Sequence, residues 1–200
     1  MNLELPASIL QQLLTYQAEL QKWNAAYNLT AIRDPEQMVT RHLLDSLALL
    51  PVVSRLPSPV SRLLDVGSGA GLPGIPLALA DPALRVVTLD SNGKKARFMR
   101  HVVRILGIVN VEVIEARVED WQPEALFDCI VSRAFASLTD FFDKTAHLLA
   151  PGGQWLAMKG KLGEAEMADI PANIIIRETH RLRVPGLDED RHVVLARVKT

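Results

Sequence analysis

The stretch Leu64-Asp65-Val66-Gly67-Ser68-Gly69-Ala70-Gly71 decides the fold. It closes a short apolar strand, predicted over 62–66, and turns through a glycine at every second position. Glycine has no Cβ, so it enters positive φ freely and lets the backbone approach a ligand closely. A helix is predicted at 74–80, and a second apolar run at 85–89 ends on Asp90. Strand, glycine turn, helix and strand in that order make a parallel β-α-β unit. Its ligand site lies beyond the carboxyl ends of the strands.

The alternation continues downstream. The pattern predicts a helix over 93–106 closed by Gly107, then strands at 111–114 and 127–132. A helix from about 137 to 149 should end before Pro151-Gly152-Gly153, followed by a strand at 154–158 and a short helix at 163–169. Strands near 174–184 and 191–198 close the chain as an antiparallel hairpin on one edge of an otherwise parallel α/β sheet with helices on both faces. Upstream, residues 6–24 carry Ile9, Leu13, Tyr16, Leu20 and Trp23 at helical spacing. Asp34-Pro35-Glu36 opens a second helix, with Asp as N-cap and Pro in the first turn, expected to stop at Pro51. Leu56-Pro57-Ser58-Pro59 then separates a helical cap, 1–56, from the main body, 57–200, the two forming one compact unit.

Composition excludes several classes. With 48% apolar and 22% charged residues, the 200-residue chain reads as an ordinary globular domain. Its one cysteine, Cys129, forbids an internal disulfide, fits a reducing cytoplasm and reads as a small buried strand residue. No leader pattern is visible, and no run approaches the roughly 20 apolar residues of a membrane span. The five histidines, at 42, 101, 147, 180 and 192, show no metal-ligand spacing, so no metal is expected. Net charge is −1, but residues 91–117 concentrate Lys94, Lys95, Arg97, Arg100, Arg104 and Arg117 against Glu112 and Glu115. Lys94, Arg97, His101 and Arg104 share one helical face with Arg100 adjoining. A solvated charged stripe and a phosphate-contacting surface both explain it. Trp23, Trp121 and Trp155 read as packing residues.

The glycine turn narrows the ligand. Gly67, Gly69 and Gly71 do not fit Gly-x-Gly-x-x-Gly, because position 72 is Leu, and the triphosphate loop Gly-x-x-x-x-Gly-Lys-[Ser/Thr] is absent. Asp65 would place a carboxylate where a pyrophosphate site wants none, but it suits a ligand with an amino or sulfonium cation, such as S-adenosylmethionine. Asp90, ending the second strand, is placed to accept hydrogen bonds from both ribose hydroxyls. These residues favour an adenosylmethionine site over a nicotinamide site or a purely structural turn.

Four segments carry a closer likeness: Tyr27-Asn28-Leu29-Thr30, Arg41-His42-Leu43-Leu44-Asp45-Ser46, Asp65 through Pro76, and Ser132-Arg133-Ala134-Phe135-Ala136. With them the chain resembles, over nearly its whole length, the bacterial small-subunit ribosomal RNA guanine-N7 methyltransferase family, also called the glucose-inhibited division protein B family. The resemblance implies a class I S-adenosylmethionine-dependent methyltransferase fold, with a seven-stranded, mostly parallel sheet and an N-terminal helical cap. It implies a cytoplasmic enzyme that methylates N7 of a guanine in 16S ribosomal RNA. Gly67 and Leu72 match the family's loop contacts with the cofactor, Val118 and Glu119 the pair beside the adenine, and Arg133 a binding-site arginine.

The expected cofactor-binding set is therefore Asp65, Gly67, Gly69, Gly71, Leu72, Asp90, Val118, Glu119 and Arg133. The expected RNA-binding set is Lys94, Lys95, Arg97, Arg100, Arg104, Arg117 and Lys159. Guanine N7 carries a free lone pair, so no general base is expected; Arg133 and Lys159 are the candidates to act near the base, with a plain rim lysine as the alternative for Lys159. His42 and Asp45 read equally well as a cap-to-domain contact or a substrate contact. A small-molecule or protein acceptor, or a non-catalytic RNA-binding module, are the competing readings. With a partner as large as the small ribosomal subunit, a monomer is expected.

Overall fold

The computed structural model describes residues 4–160 and 162–199, without the side chains of Glu164 and Ala165; the outermost residues of the expected cap and body, 1–3 and 200, lie outside the described residues. The cap comprises α1 (Ala7–Tyr27), α2 (Pro35–Met38), a π-helical segment Val39–Leu44, α3 (Asp45–Leu47) and α4 (Leu50–Val53). The rest alternates β1 (Arg62–Val66), α5 (Gly74–Ala80), β2 (Arg85–Asp90), α6 (Gly93–Ile105), β3 (Val111–Glu115), β4 (Phe127–Ser132), α7 (Leu138–Thr145), β5 (Leu149–Lys159), α8 (Glu164–Ala168), β6 (Ile174–Arg181) and β7 (His192–Val198).

The strands form one seven-stranded sheet in the order β3-β2-β1-β4-β5-β7-β6. β1 to β5 pair in parallel, and β7 is antiparallel to both β5 and β6. The sheet and its edge hairpin are those the sequence predicts. Because β2 and β4 flank β1, the chain reverses its winding there, and a crevice opens at the carboxyl ends of these strands.

Two expected boundaries differ. Pro51 does not end a helix; the break falls at Ala48-Leu49, and Pro51 sits in the first turn of α4, where its missing N–H removes no hydrogen bond. The helix predicted to 149 ends at Thr145, followed by a 3₁₀ turn over Ala146–Leu148, and β5 begins at Leu149. Pro151-Gly152-Gly153 is accommodated as a bulge inside β5, between the pairs Phe127–Leu149 and Cys129–Gln154. Proline is tolerated where the ladder is already interrupted.

Successive strand residues point to opposite faces. On one face Leu64, Val87, Ile130 and Trp155 pack with Leu138, Phe141 and Phe142 of α7. On the other, Leu63, Val86, Val131 and Leu156 meet Leu77 and Ala78 of α5 and Leu49 and Val53 of the cap. A neighbouring cluster joins Leu13, Tyr16 and Leu20 of α1 to Leu72, Ile75, Phe98 and Met99. The cap is thus built into the core beside the glycine turn. Cys129 is fully buried in β4, Trp155 is fully buried, and Trp23 stacks against Phe98.

Tyr16 ties cap to turn. It is fully buried, and its hydroxyl donates to the Ala70 carbonyl at 2.7 Å. Burial pushes the phenol's ionisation upward, so it remains a donor. Tyr16→Phe should leave that carbonyl unpaired and lower unfolding free energy by ~1–3 kcal/mol in urea titrations. An unchanged midpoint would mean that water takes over the bond.

Candidate active site

The glycine turn is held from beneath by Asp65. Its Oδ2 accepts from the Gly74 N–H at 2.8 Å, and its Oδ1 is buried with no hydrogen-bond partner. A Cβ at Gly74 would lie 2.9 Å from that Oδ2, so glycine is required there. Ser68 donates to the Asp65 carbonyl at 2.7 Å and accepts from Leu89 N at 3.0 Å. Asp90 accepts from Gly69 N through Oδ2 at 2.8 Å and from Asn92 N through Oδ1 at 2.9 Å.

Two cavities open on either side of Gly67. The smaller, about 150 Å³, is lined by Gly67, Leu89, Asp90, Arg117, Val118, Glu119 and Phe135 among others. The larger, about 490 Å³, is lined by Gly67, Gly69, Leu72, Arg133 and Lys159 together with Thr30, Arg41, His42, Asp45 and Arg191. Gly67 has φ +68°, and a Cβ there would come within 2.7 Å of the Ala134 Cβ. Gly67 and Ala134, packed too closely for any side chain at position 67, line both spaces.

The outer wall of the larger cavity is an ion-pair network. Arg133 donates to Asp45 Oδ2 at 3.1 Å and to the Arg41 carbonyl at 3.3 Å. Arg191 Nε lies 3.3 Å from Asp45 Oδ1, close enough for charge attraction but without hydrogen-bond geometry. Arg41 grips Glu189 with two nitrogens, at 3.0 and 2.6 Å, and Arg191 adds a third contact to Glu189 at 3.1 Å. The Arg41 hydrogen bonds hold the Glu189 carboxyl below the usual range. His42 hydrogen-bonds Thr30 at 2.9 Å, and its burial beside Arg133 pushes its pKa down to about 4. It is a neutral wall residue.

The chain matches the family model described as rRNA small subunit methyltransferase G over residues 9–194. It belongs to that family. The ribosomal RNA small subunit methyltransferase G of Chromohalobacter salexigens is 53% identical over 195 residues, covering 98% of this chain and 90% of that protein. The protein of the same name from Cellvibrio japonicus is 52% identical over 185 residues, covering 92% and 84%. Among solved structures, TrmN from Thermus thermophilus superposes with a TM-score of 0.61 at 18% identity, over 77% of this chain and 48% of that one. The S-adenosylmethionine-dependent methyltransferase SibL gives 0.61 at 17% identity, over 97% and 69%. At that identity the likeness is one of fold. The fold is that of S-adenosylmethionine-dependent methyltransferases such as SibL.

The expected residues distribute unevenly over the two cavities. Gly67, Gly69, Leu72, Asp90, Val118, Glu119 and Arg133 line the two cavities. Asp65 lines neither; it lies under the turn, fully buried. A Cβ on Gly71, at φ +90°, would strike Ile75, so this glycine serves the turn's packing. Lys159 does not stand free on the rim. Its ammonium donates to the Phe135 and Ala136 carbonyls at 3.0 and 3.1 Å and forms an ion pair with Glu166 at 2.7 Å. It anchors the segment after β4.

On α6, Lys94, Arg97, Arg100 and Arg104 are exposed. Arg100 pairs with Glu115 at 3.0 Å, and Lys95 lies 3.6 Å from Asp90. His101 leaves the stripe: it turns to α1, bonding Glu19 at 2.8 Å and stacking on Trp23. Arg117 is exposed at the mouth of the smaller cavity. Sequence reasoning missed the bond from Tyr16 to the turn, whereas one of its two readings of Asp45, a cap-to-domain contact, is present as the salt bridges to Arg133 and Arg191. A tyrosine in an otherwise aliphatic stripe was the available signal, because a buried hydroxyl needs a partner. Among the described residues no group of three or more His, Cys, Asp or Glu side chains is placed to hold a metal, and no helix is long and apolar enough to cross a membrane.

Burial pushes the Asp65 carboxyl up to about 7, against the opposing pull of the Gly74 hydrogen bond and the Arg133 charge. Its folded value thus exceeds its ordinary 3.8, so folding takes up a proton between those pH values and stability falls as pH rises through that window. His42 acts in the opposite sense, since its stabilising neutrality is present above pH 6.5 and lost as pH falls towards about 4. Asp65→Asn keeps an acceptor for Gly74 but removes the first effect. Its unfolding free energy relative to the unchanged chain should improve by up to about 4 kcal/mol between pH 4 and 8. A difference that does not vary with pH would show that the Asp65 carboxyl is hydrated.

Proposed function

We propose that this chain transfers the methyl group of S-adenosylmethionine to N7 of a guanine in 16S ribosomal RNA of the small subunit. The observation that carries the reading is the bipartite cleft on either side of Gly67, in a chain of the rRNA small subunit methyltransferase G family. Gly67 and Ala134 line both halves, so the residues fit a ligand that spans both.

In this reading Asp90 holds the ribose. Each carboxylate oxygen accepts one backbone N–H and keeps a lone pair for a hydroxyl. Val118 and Leu89 give the purine an apolar seat, with Glu119 at its edge. Gly67, Gly69 and Leu72 bring backbone against the remainder of the cofactor, and Arg133 is the side chain that reaches it from β4. Bound there, the cofactor supplies an activated methyl group on a sulfonium. The protein's own task is to bring guanine N7 into line with the carbon–sulfur bond and keep it there.

N7 has no proton to lose, and the wall is suited to that chemistry: His42 is neutral and hydrogen-bonded, and Asp45 is committed to Arg133 and Arg191. Methylation leaves positive charge on the base. Three arginines on that wall are offset by Asp45 and Glu189, which limits repulsion of the product. Lys94, Arg97 and Arg104, exposed and without an ion pair among the described residues, supply phosphate contacts beside the smaller cavity.

Labelled S-adenosylmethionine incubated with small subunits should place label on a guanine of 16S RNA; label on neither RNA nor subunit, with transfer to a small metabolite instead, would refute the reading. Asp90→Ala should weaken cofactor binding, read by calorimetry, by ~1–3 kcal/mol; an unaltered Kd would take this carboxylate out of the ribose site. The double substitution Lys94→Ala, Arg97→Ala should lower RNA affinity and flatten its salt dependence, by about 0.7 of a unit in slope per phosphate contact to a single strand. An identical slope would make this face merely solvated.

A further inference from the structure

A third cavity lies two strands away from the cleft, at the other end of the sheet from α6. It measures about 560 Å³ and sits between α4 and the edge strand β6. Val52, Leu56 and Leu195 contribute to an apolar floor, while Arg55, Arg177, Arg181 and Arg183 stand exposed along its sides. Glu178 is the one acidic side chain among the lining residues, one carboxylate against four arginines, and it lies 2.8 Å from His180. Arg181 pairs with Asp190 at 2.9 Å, whereas Arg55, Arg177 and Arg183 have no ion pair among the described residues. Four arginines in one groove, in a chain of net charge −1, are a local excess that self-repulsion disfavours unless an anion is brought to it.

We propose that this groove grips the phosphate backbone of the ribosomal RNA a few nucleotides from the guanine in the cleft. The proposal rests on the ribosomal RNA reading above. Three features favour a nucleic-acid backbone. Arginine presents a planar fork of donors that matches phosphate oxygens in pairs. β6 is an edge strand, paired only with β7, so its outer edge offers backbone N–H donors of the kind that phosphates also accept. The groove also adjoins the cleft. Arg181 is in register with His192, and His192 with Lys159 on the cleft rim, so the separation is two strand spacings, about 10 Å. The cap segment that gives Arg41, His42 and Asp45 to the cleft continues directly into the residues that give Val52 and Arg55 to the groove. With α6 at the opposite edge, the RNA is held on both sides of the target base.

The test compares the unchanged chain with Arg55→Gln/Arg177→Gln/Arg183→Gln and with the matching triple lysine variant. Binding to deproteinised 16S RNA and to assembled small subunits is measured across a salt series, with cofactor affinity and thermal midpoint as controls. All three side chains are exposed, so the midpoint should hold, as should the cofactor Kd. The glutamine variant should bind both RNA and subunits about tenfold or more weaker at low salt, with a slope flatter by about 2 units, and the lysine variant should retain most of the affinity. Equal affinity and slope for the unchanged and glutamine proteins would overturn the groove even where methyl transfer proceeds. So would a loss confined to assembled subunits, which would assign the groove to a ribosomal protein, and so would an unchanged chain that binds neither substrate. Weakened RNA binding by the glutamine variant supports the groove even if no methyl is transferred, in which case the function reading alone fails.

Discussion

The hydrogen bond from the Gly74 N–H to the Asp65 carboxylate, 2.8 Å long and out of reach of water, connects the last turn of β1 to the first turn of α5. Everything at the carboxyl ends of the strands is positioned relative to it. It sets where α5 begins, and therefore where the chain between Val66 and Gly74 must fold back. The turn so confined is then held from other sides: by Ser68 against Leu89, by Asp90 through the Gly69 N–H, and by the Tyr16 hydroxyl from the cap. A loop tied at four points to two strands and a helix has lost its conformational entropy before a ligand arrives, which favours tight binding. The cost is a buried carboxyl whose second oxygen has no partner, and whose proton affinity rises accordingly.

The cap completes what the sheet leaves open. A sheet wound on both faces has a crevice at its switch point but no wall around it. The π-helical segment Val39–Leu44 and α3 supply one, with Asp45 meeting Arg133 just after β4 and Arg191 just before β7. Three parts of the chain far apart in sequence thus converge on one carboxylate. A lone arginine there would be mobile; pinned between Asp45 and the Arg41 carbonyl, Arg133 presents a fixed face to the cleft. Lys159 does the equivalent work for the following residues by binding the Phe135 and Ala136 carbonyls.

Much of this was legible in the sequence, for reasons that are local. The sheet follows from short apolar runs alternating with helical segments, and the turn at Gly67 to Gly71 from glycine spacing. Asp90 was legible because it ends a strand beside that turn. What the sequence did not reveal depends on partners distant in the chain. Asp65 sits where a ligand-facing carboxylate was expected, yet it points to Gly74 because the strand's alternation turns it towards α5 rather than the crevice. Lys159 looks like a rim cation until β4 and α8 are folded against it. His101 shares a helical face with Lys94 and Arg97, but α1 covers that end of α6. The bulge in β5 was hidden because Pro-Gly-Gly is also how a loop is written.

On the function proposed above, the distribution of charge separates two tasks that oppose each other. Binding a polyanion requires uncompensated cations, because each phosphate neutralised releases counterions. Forming a cationic base requires the opposite near the reacting atom. In this molecule the cations nearest the larger cavity are paired: Arg41 with Glu189, Arg133 with Asp45, Arg191 with both, Lys159 with Glu166. Those without partners among the described residues, such as Lys94, Arg97 and Arg183, are displaced towards the two edges of the sheet. An arrangement that placed free arginines at the centre would hold RNA more tightly there and repel the methylated base. On that reading, being paired at the centre and free at the edges would let the same residues attach RNA strongly without that penalty.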